Sequence, residues 1–158
     1  MEKRFRAIAA GGHETKPRSG RFADDAHLAR AAAEEFFLMG LPRVNVLLAG
    51  RDEVVRLVVR TLLGHVSKPV RTLSPGEDLV LPPIDPGTLV IYEVGALALR
   101  EQIQLLEWSG GPLRNTQVIS TTSAALLPRV NAGSFIDMLY YRLNTVYLDV
   151  TELEDAPA

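Results

Sequence analysis

Apolar positions along the chain fall into short runs and helical stripes, separated by turn residues. Val44-Asn45-Val46-Leu47-Leu48-Ala49 is a short β-favouring run, the pattern of a strand buried on both faces, and Gly50 ends it. Leu57, Val58, Thr61 and Leu62 then recur at helical spacing up to Gly64. Residues 70–73 predict a second strand, closed by Ser74-Pro75-Gly76, and the proline-rich residues 82–87 read as a connector. Leu89-Val90-Ile91-Tyr92 predicts a third strand. Residues 97–108 follow as a helix with Leu97, Ile103, Leu105 and Leu106 as candidate core. Gly110-Gly111-Pro112 breaks the chain again. Residues 116–121 then predict a fourth strand, 124–130 and 135–143 two helices, and 145–150 a fifth strand. Strands alternating with helices indicate an α/β fold with a five-stranded parallel sheet covered on both faces.

Upstream, Asp24 and Asp25 place carboxylates where a helix start favours them. Residues 26–39 are rich in helix formers and are stopped by Gly40 and Pro42. Residues 1–23 show no core-facing pattern and are expected to be a mobile basic tail; residues 24–151 form the α/β core and 152–158 an acidic tail.

Composition narrows the class. The 158 residues are 47% hydrophobic and 23% charged, a globular balance. There is no cysteine, which removes disulfides, Cys-ligated metals and thiol nucleophiles. No run approaches the roughly 20 apolar residues of a membrane span. A cytoplasmic protein without a membrane partner is the expectation. The net charge is −2, yet residues 1–21 hold six Lys or Arg against Glu2 and Glu14, so the rest of the chain is acidic.

In a parallel α/β sheet the ligand sits at the carboxyl ends of the strands. A phosphate-cradling loop needs glycines that turn N–H groups inward, and a lysine for the β and γ oxygens. The loop Gly50-Arg51-Asp52-Glu53-Val54-Val55-Arg56 has only Gly50, β-branched Val54 and Val55, and two carboxylates that repel an anion. Arg56 matches a lysine in charge but not in geometry. The third strand ends in Tyr92-Glu93, and a lone Glu93 without a phosphate site has nothing to act on as a base. His13, His27 and His65 lack metal-ligand spacing, and Ser109-Gly110-Gly111 lacks a nucleophile-elbow frame.

The order of motifs resembles a known family. Gly87-Thr88-Leu89-Val90-Ile91-Tyr92-Glu93-Val94-Gly95-Ala96-Leu97 is similar to the Walker B stretch GTLFLDEVGEL of bacterial sigma-54-dependent activators. Val118-Ile119-Ser120-Thr121-Thr122-Ser123 is similar to their VIATTN strand. Phe135-Ile136-Asp137-Met138-Leu139-Tyr140-Tyr141-Arg142-Leu143-Asn144 is similar to their FREDLYYRLN helix, and Asn45 to Gly50 to their NVLLTGE. The match runs in order over roughly residues 25–150. It implies a three-layer, P-loop-NTPase-like AAA+ core with strand order 5-1-4-3-2.

The departures from that pattern carry information too. The family's GESGTGKE loop has lost both later glycines and its lysine, the Walker B aspartate is Tyr92, and the sensor asparagine is Ser123. Only 16 residues separate Val70 from Gly87, where the family inserts its sigma-contacting GAFTGA tip. The chain given stops at Ala158, ahead of the family's lid and helix-turn-helix. The resemblance therefore implies a non-catalytic regulatory or protein-interaction domain, without cofactor and without sequence-specific DNA binding, that self-associates or docks on a partner. The alternative is a regulator that binds ATP or ADP weakly without hydrolysis. Residues implied for a vestigial nucleotide site are Gly50, Arg56, Glu93 and Ser123; those implied for an interface are Tyr141 and Arg142. If Arg142 is structural instead, Asp137 and Glu93 are its expected partners.

Overall fold

The structure of the chain, a computed structural model, describes residues 4–5, 27, 31, 44–83, 87–111 and 115–150. The two terminal tails therefore fall largely outside the described residues, as does the predicted helix 26–39, of which only His27 and Ala31 appear, both helical.

All five predicted strands are present: β2 (Val46–Ala49), β3 (Val70–Leu73), β4 (Gly87–Ile91), β5 (Thr116–Thr122) and β6 (Val146–Asp149). Every pairing is parallel, and these five strands lie in the order 5-1-4-3-2 implied by the resemblance. A sixth strand, β1 (Arg4–Phe5), adds itself to the edge at β6 with Arg4 opposite Tyr147. Those two residues were expected in a mobile tail. Two residues give no periodicity to read, and their pairing partner lies at the other end of the chain.

β2 sits centrally between β6 and β5, and all four of its residues are buried, as two covered faces require. One face packs on α1 (Asp52–Leu62), which buries Val54, Val55, Val58, Val59 and Leu62. Valine is an indifferent helix former, but burying each such side chain contributes about 1.5–3 kcal/mol, which outweighs a propensity deficit of a few tenths. Asp52 and Glu53 in the first turn and Arg60 in the last suit the helix dipole.

The other face carries α2 (Leu99–Ser109) and the short helices α3 (Leu127–Asn131) and α4 (Asp137–Leu143). Leu105, Trp108, Phe135, Leu139 and Leu143 pack there against Leu47, Leu89, Ile91 and Val118. The Glu101 carboxylate accepts the Ala98 N–H at 2.7 Å and closes the start of α2. Buried Gln102 joins the two helices: its Oε1 accepts from the Ile136 amide at 2.9 Å, and its Nε2 donates to the Leu97 carbonyl at 3.0 Å. Three layers result, with the carboxyl ends of β2, β5 and β4 side by side.

Candidate functional site

Only Gly50 and Arg51 separate β2 from α1. The Gly50 N–H donates to the Thr122 carbonyl at 3.0 Å, and the Val55 N–H donates to the Arg51 carbonyl at 3.0 Å, so the helix closes at once. Gly50 does not take a left-handed backbone. Space is what demands glycine there: a Cβ would lie 2.3 Å from Val150 Cγ2 and 3.3 Å from Val55 Cγ1. Apolar packing and a cross-strand hydrogen bond thus occupy the turn. The carboxylates of Asp52 and Glu53 follow it directly, and Glu53 lies 3.7 Å from the Arg51 guanidinium.

Arg56 projects from α1 toward the end of β4. Its Nε donates to Asp52 Oδ2 at 2.6 Å, and its guanidinium carbon lies 4.1 Å from the centroid of the Tyr92 ring. The hydrogen bond to Asp52 raises the Arg56 pKa, desolvation opposes that, and the charges of Asp52, Tyr92 and Glu93 add to it. Arg56 is a cation whose Nε is held by Asp52 and whose guanidinium plane lies over the Tyr92 ring.

Glu93 follows at φ 50 and ψ 59, left-handed for a non-glycine residue, a strain of about 1–3 kcal/mol that a surrounding structure must hold in place. The clamp is Thr121, whose Oγ1 accepts the Glu93 N–H at 3.0 Å. Carboxylate Oε1 of Glu93 is buried with no hydrogen-bond partner. Ser123 is exposed just past β5. Gly50, Arg56, Glu93 and Ser123, which the resemblance groups as a vestigial nucleotide site, lie at one end of the sheet. Among the described residues no group of three His, Asp or Glu is disposed to hold a metal.

On α4, Tyr141 is 58% exposed and makes an edge contact with Tyr140, ring centroids 5.2 Å apart. Arg142 turns inward. Its Nη1 donates to the Leu106 carbonyl at 2.9 Å and to Ser109 Oγ at 3.4 Å, which caps the carboxyl end of α2 with a cation. Gly110 leaves room for it, since a Cβ there would lie 2.6 Å from Nη1. The partners expected for a structural Arg142, Asp137 or Glu93, are thus replaced by a helix terminus. Sequence patterns reveal carboxylates, whereas a helix-end carbonyl 36 residues away leaves no mark in them.

Residues 52–153 match the Sigma-54 interaction domain family. The chain belongs to that family. Two curated relatives agree: a Sigma54-dependent transcriptional regulator SfnR of Pseudomonas fluorescens, 34% identical over 85 residues, and a Sigma54-dependent transcriptional activator SfnR of Pseudomonas putida, 36% identical over 83. The alignments take in 46% and 45% of this chain but only 23% and 22% of those proteins, so the chain spans under a quarter of the relatives it matches. Among solved structures, NtrX from Brucella abortus in complex with ATP superposes with a TM-score of 0.61 at 18% identity, covering 84% of this chain and 38% of that one. A Drosophila ORC structure bound to AT-rich DNA and Cdc6 superposes at 0.53 with 12% identity, covering 87% and 62%. At these identities the likeness is one of fold.

Two supports of this sigma-54 interaction domain were not foreseen from sequence. Asn45 accepts the Val118 N–H at 2.9 Å and donates to the Arg142 carbonyl at 3.0 Å, tying β2 to β5 and to α4. Arg129 on α3 donates to the Gly95 carbonyl in the 3-10 turn Val94–Ala96 after Glu93. All three bonds join segments far apart in the chain, so no local motif announces them.

Proposed function

We infer that this domain is a non-catalytic member of its family, a cytoplasmic regulatory module that works by protein contact. The Arg56–Tyr92 stack is the observation that carries the reading. An arginine clamped by Asp52 and covered by an aromatic ring stands between α1 and the end of β4, where this class of fold takes phosphate and metal. Tyr92 has no carboxylate for Mg²⁺, and the Gly50 amide is already bonded to Thr122. Positioning and electrostatics do nearly all the work in phosphoryl transfer, so loss of both leaves Glu93 without a reaction to assist. The exposed Tyr141 suits a docking role, whereas Arg142 supports α2 and contributes indirectly.

A second reading, weak binding of ATP or ADP without hydrolysis, draws on one feature, the Arg56 guanidinium at the strand end where this class of fold takes phosphate. An ATPase assay paired with calorimetric titration of ATP and Mg²⁺ distinguishes the two. The first reading expects neither turnover nor binding heat; heat without turnover supports the second. Turnover abolished by Glu93→Gln contradicts both.

A further inference from the structure

β3 is the last strand of the sheet, and its outer side pairs with no strand among the described residues. The Thr88 N–H donates to the Pro69 carbonyl at 3.0 Å, and the Tyr92 N–H to the Leu73 carbonyl at 2.9 Å. Odd-numbered positions of this segment therefore turn their main chain toward β4. Alternation sends the amides and carbonyls of Val70 and Thr72 to the open side. Beside that edge lies a shallow cleft of about 510 Å³, whose walls include Arg71, Leu73, Leu89, Asp78 and Val80. Val80 is 73% exposed, a large apolar side chain at the rim. Arg71 and Asp78 are both exposed, and neither side chain has a hydrogen-bond or ion-pair partner among the described residues. Glu77 differs, because its carboxylate accepts the Ser74 N–H at 2.7 Å and holds the turn.

We propose that the open edge of β3 pairs antiparallel with β3 of a second copy of this chain, with Arg71 of each copy meeting Asp78 of the other. The proposal rests on the reading of the domain as an interaction module, and it names the partner. Charge arrangement selects that partner. A twofold axis at Thr72 sets Thr72 against Thr72 as a hydrogen-bonded pair and Arg71 against Leu73 of the second copy. The turn carrying Asp78 follows Leu73 directly, so a long Arg71 side chain on the same sheet face extends toward it. Symmetry makes the ion pair twice, and the rim Val80 covers the arginine stem. A twofold axis at Arg71 would oppose two arginines, so charge also fixes the register. One short edge buries little area, which places the dimer in the weak class below about 1,200 Å².

The test is sedimentation equilibrium of the full chain up to ~1 mM, where such weak pairs populate. Thermal melts by circular dichroism establish that each variant is folded. The expected result is a reversible monomer–dimer equilibrium that Arg71→Asp and Asp78→Arg each weaken by about tenfold or more. The double variant Arg71→Asp with Asp78→Arg restores association, because both swapped charges meet again across the axis. Thr72→Pro removes an edge donor that the chain's own sheet does not use, and it gives a folded monomer. A wild-type monomer at every concentration overturns the proposal. So does a dimer indifferent to the single swaps, or a folded double variant that stays monomeric. Nucleotide titration of the same samples reads the non-catalytic assignment separately, so either idea can fail alone.

Discussion

The Arg56 guanidinium lies over the Tyr92 ring, 4.1 Å from its centroid, while Asp52 holds it from behind at 2.6 Å. The two residues come from α1 and from the residue after β4, so the stack closes the sheet end between them. A double-mutant cycle with Arg56→Ala and Tyr92→Ala, read by denaturant unfolding, is expected to give a coupling energy of about 0.5–1 kcal/mol. Additive losses would show that the contact is incidental.

Gly50 keeps a residue shared with phosphate loops but for a different reason, the approach of Val150 Cγ2. Gly50→Ala should destabilise the domain by about 1–3 kcal/mol through overpacking. Adding Val150→Ala should recover part of that loss, because it removes the methyl group in the way. A Gly50→Ala protein as stable as the parent would mean the turn relaxes freely and is not tightly packed.

The five strands, their order and the clustering of Gly50, Arg56, Glu93 and Ser123 were legible because apolar runs and turn residues are local signals, and the family motifs come in order. Contacts that bridge distant segments were not. Asn45 looks like one polar residue in a strand until Val118 and Arg142 lie beside it. Arg142 offers a charge that invites a carboxylate, yet it caps the carboxyl end of α2. The left-handed Glu93 is a third such case, since nothing in Tyr92-Glu93-Val94 announces a backbone held by Thr121.

Arg142→Ala should lower stability by about 1–2 kcal/mol, since it strips a charge-assisted bond from the end of α2. The oligomeric state should stay that of the parent. Amide hydrogen exchange localises the effect, with residues 106–110 losing protection first. Lost association with unchanged stability would instead make Arg142 an interface residue.

Glu93→Gly is expected to raise the melting midpoint, equivalent to a gain of about 1 kcal/mol, by relieving a left-handed non-glycine backbone. It also removes a buried carboxylate oxygen that has no partner. A fall in the midpoint would show that Glu93 contributes a contact that outweighs its strain.

The central claim is that the strand-end site is closed by the protein's own residues, and thermal unfolding with and without nucleotide tests it most directly. A ligand at a hundred times its Kd stabilises the folded state by about 2.7 kcal/mol, a shift of several degrees for a domain of this size. The account predicts superimposable melts with ATP and Mg²⁺, with ADP and Mg²⁺, and with buffer alone, up to millimolar nucleotide. A saturable rise in the midpoint that Arg56→Ala abolishes would contradict it, and would make Arg56 a phosphate ligand rather than a plug.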